Sequence, residues 1–176
     1  MRKMLLAALA AALLALPAIA ARAADDTMPS VGQKAPAFTL PSQEGTPISL
    51  KQYRGKWVVL YFYPRDMTSG CTIEAHNFQN AQKDFDAKNA VILGVSVDST
   101  SSHQQFCAKD GLTFHLLSDT GHKVVSEYGS LGGFKGVAIA NRNTFLINPK
   151  GRIAKVWVKV DPHVAASEVL EAIPAK

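Results

Sequence analysis

Trp57-Val58-Val59-Leu60-Tyr61-Phe62-Tyr63 is an unbroken run of apolar and aromatic residues, apolar at odd and even positions alike. Such a run reads as a strand covered on both faces, as a buried parallel-type strand must be. Close behind it, Cys71, Ala75, Phe78, Ala81 or Gln82, and Phe85 recur at helical spacing. Glu74, Asn77, Lys83 and Asp84 fall mostly on the other side of that helix. The chain therefore passes from a central strand into a helix whose apolar stripe, headed by Cys71, packs back on the sheet.

The other segments keep the same alternation. Ala37-Phe38-Thr39-Leu40 and Thr46-Pro47-Ile48-Ser49-Leu50 read as two short strands about a turn at Gln43-Glu44-Gly45, an N-terminal β-hairpin. Ala90 to Val97 is a second buried strand. Asp98-Ser99-Thr100 caps a helix from about Ser101 to Lys109 that Gly111 closes. Phe114 to Leu117 is short and apolar, and Lys123 to Tyr128 gives one or two helical turns. Thr144 to Ile147 and Ile153 to Val158 form a hairpin around Asn148-Pro149-Lys150-Gly151. Its second strand alternates apolar and charged residues, so one face meets solvent. Val164 to Ile173 is a closing helix. The expected fold is α/β, a central mixed β-sheet flanked by helices, without repeats or a second domain.

Cys71 falls in the first turn of its helix, at the carboxyl end of the strand. Orphan backbone N–H groups and the positive end of the helix macrodipole favour an anionic sulfur there. Thr68, three residues earlier, can bond the sulfur through its hydroxyl, and Pro64 can wall it off from bulk water. Burial alone would raise the thiol pKa, so a reactive sulfur needs a further cation. Without one, Cys71 is a plain core cysteine.

Pro64-x-x-x-Thr68-x-x-Cys71 after such a strand resembles the active-site signature of the peroxiredoxins, the thiol peroxidases. Phe62 to Asp66 with Gly70 to Ala75 is similar to their bacterioferritin-comigratory or Q-type branch, and the likeness runs from about Val31 to the C-terminus. The resemblance implies a thioredoxin-like fold and a peroxidase acting on hydrogen peroxide or small organic hydroperoxides. Cys71 would be the peroxidatic nucleophile, with Thr68 and the Gly70 and Cys71 amides bonding sulfur and peroxide oxygens. Arg142 matches the arginine that peroxiredoxins place over this sulfur, just before a Thr-Phe-Leu-Ile-like strand. Glu74 matches an acid frequent in the family; it either holds Arg142 by an ion pair or is a surface glutamate, and stays outside the expected catalytic set.

Three positions depart from the branch. His76 stands where many Q-type members carry their second cysteine, Ser69 where proline is common, and Asn148 where aspartate often ends the strand. Cys107, 36 positions after Cys71 on the next helix, resembles the other Q-type arrangement. It would resolve the Cys71 sulfenic acid as an intramolecular disulfide, after local unravelling around both residues. The resemblance further implies recycling by a thioredoxin-like dithiol protein, no metal, haem or flavin, and a monomer.

Cysteine count alone supports a rival: a non-catalytic thioredoxin-fold protein with a structural Cys71–Cys107 disulfide. Closing that loop would stabilise the fold by roughly 3–4 kcal/mol. Pro64, Thr68 and Arg142 have no explanation under it. A Cys₂His₂ metal site from Cys71, His76, His103 and Cys107 has only the i, i+4 pair His103 and Cys107 in its favour. A disulfide oxidoreductase would need a Cys-x-x-Cys pair, which is lacking.

Met1-Arg2-Lys3, an apolar stretch from Met4 to Ile19 and Ala21-Arg22-Ala23 read as a secretory signal peptide over residues 1–23. The expected mature domain is 24–176, periplasmic or secreted. Cleavage removes Arg2, Lys3 and Arg22 and no acid, so the net charge of +5 falls to +2. With no lysine or arginine runs, nothing in the mature chain offers a footing for nucleic acid.

Overall fold

The computed structural model describes residues 28–175; the expected leader, residues 1–23, lies outside them. Strand β1 (Thr39–Pro41) pairs antiparallel with β2 (Pro47–Ser49), giving the small N-terminal hairpin read from the sequence. The run beginning at Trp57 becomes β3 (Trp57–Phe62), the middle strand of a five-stranded sheet. It pairs in parallel with β4 (Ala90–Ser96), which pairs in parallel with β5 (His115–Ser118). On its other side it pairs antiparallel with β8 (Asn143–Ile147), followed by β9 (Ile153–Val158).

The period of two along β3 sorts its side chains between two cores. Val59, Tyr61 and Tyr63 enter one cluster with Cys71, Ala75 and Phe78 of helix α1 (Ser69–Asn80), Phe85 of α2 (Gln82–Ala87), Phe106 of α3 (Thr100–Asp110) and Val169 of α5 (Ala165–Ala172). Val58, Leu60 and Phe62 enter the other with Phe38, Leu40, Ile48 and Val124 of α4 (Lys123–Glu127). Both cysteines therefore lie on the same side of the sheet. Phe78, Phe85 and Phe106 are fully buried there, and truncating any of them to alanine costs about 3–5 kcal/mol.

Two features differ from the sequence reading. The stripe from Cys71 to Phe85 is two helices, broken at Ala81 (φ −87°, ψ 2°), although no glycine or proline marks the break. A hairpin of β6 (Leu131–Phe134) and β7 (Val137–Ala140) occupies a stretch in which no strand is expected. Its two-residue turn, Lys135-Gly136, has positive φ at both positions, the geometry that suits the twist of a tight hairpin. Gly132 and Gly133 dilute the strand pattern; at Gly132 a Cβ would collide with Asn141 Oδ1.

Candidate active site

The strand end at Phe62 and the start of α1 are joined by 63–68. Thr68, the residue before the helix, is extended, and the first helical bond runs from Thr72 N–H to the Thr68 carbonyl at 2.9 Å. The N–H groups of Ser69, Gly70 and Cys71 precede that bond and have no acceptor within the helix. Cys71 is 1% exposed, its sulfur at the positive end of α1 as its place in the first turn requires.

Arg142, one residue before β8, supplies the cation. Its Nη2 donates to Cys71 Sγ at 3.3 Å, and its Nη1 donates to Glu74 Oε2. One guanidinium fork thus spans sulfur and carboxylate, which only arginine's fixed planar donors can do. Gly70 makes room for it: a Cβ there would lie 3.3 Å from Arg142 Nη2.

Glu74 is fully buried, one turn after Cys71 on the same helix, so of its two sequence readings the structure selects the ion pair with Arg142. Burial pushes its carboxyl up to about 7 even against the pull of Arg142, and its second oxygen is buried without a partner. Arg142 is only 16% exposed; burial disfavours its charge, but Glu74 and Cys71 together hold its pKa above the ordinary arginine value.

Thr68 differs from expectation. Its hydroxyl donates to the Arg65 carbonyl at 3.0 Å rather than to the sulfur. With the proton committed there, Thr68 Oγ1 is left as an acceptor, suited to a donor such as a hydroperoxide O–H. Pro64 is half-buried and lines a surface cavity with Val97, Asp98, His122 and Ile139.

Cys107 lies on α3, half-buried against the same core cluster, and both cysteines are free thiols. Burial, then the charges of Asp66 and Glu44, push its thiol up to about 12. The four candidate metal ligands are not brought together. His76 Nε2 pairs with Asp110 Oδ1 at 3.1 Å and His103 Nδ1 with Asp66 Oδ2 at 2.8 Å. Among the described residues no group of three or more His, Cys, Asp or Glu side chains could hold a metal ion. Likewise, no described helix is long and apolar enough to cross a membrane.

Sequence reasoning gave Asp66 no role, yet it sits at the centre of a buried polar cluster. Its carboxylate accepts from Tyr63 Oη at 2.7 Å, Ser102 Oγ at 2.7 Å and His103 Nδ1. Burial opposes the charge, but these donors, His103 foremost, hold the carboxyl below its ordinary range. The available signal was a histidine on the apolar face of α3: buried histidines need a polar partner, and one had to exist.

Residues 31–156 match the AhpC/TSA family. The peroxiredoxin Bcp of Bacillus subtilis is 43% identical over 144 residues, which cover 77% of this chain and 90% of that protein. The crystal structure of peroxidoxin BcpB from Mycobacterium tuberculosis superposes with a TM-score of 0.78 at 31% identity, over 84% of this chain and 97% of that one. The bacterioferritin comigratory protein of Xanthomonas campestris, described for its alkyl peroxide reduction activity, gives a TM-score of 0.73 at 37% identity. That match covers 77% of this chain and 89% of that one.

Proposed function

Because this chain belongs to the AhpC/TSA family, in its bacterioferritin-comigratory peroxiredoxin branch, and is a peroxidase acting on hydroperoxides, we propose that Cys71 is its peroxidatic and Cys107 its resolving cysteine. The observation that carries the first assignment is the Arg142 fork, with one nitrogen on the Cys71 sulfur and the other on a buried carboxylate. A core cysteine of purely structural use has no need of that cation.

The Cys71 thiolate attacks the nearer peroxide oxygen, forming an S–O bond as the O–O bond breaks. The leaving oxygen departs with the electron pair and takes up a proton, giving water or an alcohol and a sulfenic acid at Cys71. Arg142 and the Gly70 and Cys71 amides face the charge that develops on the peroxide oxygens, where preorganised donors contribute most. Thr68 Oγ1 accepts the O–H of the peroxide and so sets its orientation. Substrates are hydrogen peroxide and small organic hydroperoxides, the latter in keeping with the alkyl peroxide activity of the Xanthomonas relative.

Resolution follows when the Cys107 sulfur attacks the sulfenic acid. An S–S bond forms, the S–O bond breaks, and the oxygen leaves as water with the Cys107 proton. The two thiols sit on separate helices, and a thiol held at about 12 is almost wholly protonated in place. The first turns of α1 and the part of α3 bearing Cys107 therefore open for the bond to form. Helix α3 has 11 residues, too few to persist without its packing. The protein works outside the inner membrane after loss of residues 1–23, as a monomer, and a thioredoxin-like dithiol protein returns the disulfide to thiols.

The test is a non-reducing peptide map after one equivalent of hydrogen peroxide. A Cys71–Cys107 linked peptide pair is expected. Oxidised Cys71 with Cys107 still alkylatable would overturn the resolving role.

A further inference from the structure

Asp66 joins two elements that the resolution step has to part. By covalent connection it belongs to the loop that ends at Thr68 and leads into the turn bearing Cys71. By hydrogen bonds it belongs to α3, through Ser102 Oγ at 2.7 Å and His103 Nδ1 at 2.8 Å. Asp66 and His103 are 5% and 0% exposed, so water is kept from replacing these bonds. An ionised carboxylate only accepts, so Nδ1 carries the proton and the contact is a charge-assisted bond.

The loop itself has little freedom. Asp66 N–H donates to Asp98 Oδ2 at 2.9 Å, and the same oxygen accepts from Ser96 Oγ at 2.7 Å. Met67 follows with φ +57°, a left-handed conformation that leaves one path into α1. On α3, Cys107 stands one helical turn after His103, so the two share a face and move together. A further polar link to α3 comes from α1 itself, His76 to Asp110; its histidine is 46% exposed, and it is weaker than the Asp66 bonds. His103 Nε2 is buried with no partner, so the closed arrangement leaves one ring nitrogen unsatisfied. It is satisfied only once α3 opens to water.

We propose that Asp66, through His103 and Ser102, is a latch that holds α3 closed and sets the rate at which Cys107 is released to the oxidised Cys71. The inference rests on the resolving role of Cys107 and adds what times it. A tight latch lengthens the life of the Cys71 sulfenic acid, and so its exposure to a second peroxide that would carry it to the sulfinic acid. Asp66, His103 and Ser102 are positioning residues here; none touches substrate or sulfur.

The test separates the two steps in a single turnover: thiol oxidation of Cys71, then disulfide formation, each followed by rapid quench and mass spectrometry. His103→Leu and Ser102→Ala remove donors, whereas His103→Asn keeps one near the Nδ1 position. Disulfide formation is expected to rise about tenfold or more in His103→Leu, and severalfold in Ser102→Ala, from losing a charge-assisted bond. His103→Asn should stay near wild type, and the peroxide step should stay within about twofold in all three, since no donor to Cys71 is changed. Sulfinic acid yield at excess peroxide should fall in the two faster variants. Disulfide formation unchanged or slower in folded His103→Leu, or in Ser102→Ala should the former not fold, would overturn the latch. Absence of any Cys71–Cys107 disulfide in the wild type would overturn the resolving role and the latch with it.

Discussion

Arg142→Lys keeps the positive charge at the site and takes away the fork. In the native arrangement two different guanidinium nitrogens serve Cys71 Sγ, at 3.3 Å, and Glu74 Oε2. A lysine ammonium is a single compact centre on a flexible stem, and it cannot reach both partners in those directions. Glu74 is fully buried, and only a cation beside it opposes the burial that keeps its carboxyl protonated, so the ammonium goes to Glu74. The sulfur and the developing oxyanion then lose one charge-assisted donor, worth about 2–3 kcal/mol in the transition state, or about 30- to 150-fold in rate. Stability should change little, because the buried pair is kept. The assay is the second-order rate constant of the fully reduced protein with hydrogen peroxide by stopped flow, beside a thermal melt. A variant within threefold of wild type, melting normally, would refute the argument that the fork carries the charge stabilisation.

Other consequences follow from the same geometry. Gly70→Ala puts a Cβ at 3.3 Å from Arg142 Nη2 and should slow the peroxide step severalfold while leaving the melting temperature nearly unchanged. Glu74→Gln frees Arg142 from its anchor and should slow that step about tenfold, read by the same stopped-flow assay. It should also alter the pH dependence of stability. With a folded pKa raised from 4.5 to about 7, Glu74 ionises in the unfolded chain first, so wild-type stability from this group is full below pH 4.5 and is lost as pH rises toward 7. Urea denaturation at the two ends of that window should show the slope in wild type and lose it in Glu74→Gln. In Cys71→Ser, the remaining Cys107 thiol, pushed up to about 12, should react with iodoacetamide at pH 8 at least about tenfold more slowly than free cysteine, until mild urea opens α3.

Strong periodicity made most of the frame legible. The Trp57 run could be only a covered strand, and the spacing of Cys71, Ala75 and Phe78 could be only a helix lying on it. The β6–β7 hairpin escaped because Gly132, Gly133 and Gly136 weaken the alternation that announces a strand, while the Lys135-Gly136 turn is a less obvious signal than Asn-Gly. At the site, the place of Cys71 follows from local physics alone, since strand end and helix start are adjacent in the chain. Arg142 lies 71 residues away, and nothing local distinguishes it from a solvated surface charge; only the family likeness singled it out. Glu74 looks equally like a surface residue, because its burial depends on Arg142, a partner distant in the chain. Asp66 and His103 went unpaired for the same reason: a polar residue on an apolar stripe announces that it needs a partner, but not which one. Thr68 precedes the helix, but the direction of its hydroxyl is not legible, since a rotor can turn to the Arg65 carbonyl as readily as to sulfur.

The most direct test of the central claim is thiol loss on adding stoichiometric hydrogen peroxide to fully reduced wild type, Cys71→Ser and Cys107→Ser. The account predicts rapid loss of both thiols in the wild type, no rapid loss in Cys71→Ser, and a trappable sulfenic acid in Cys107→Ser. Loss no faster than that of free cysteine, and alike in all three proteins, would contradict it.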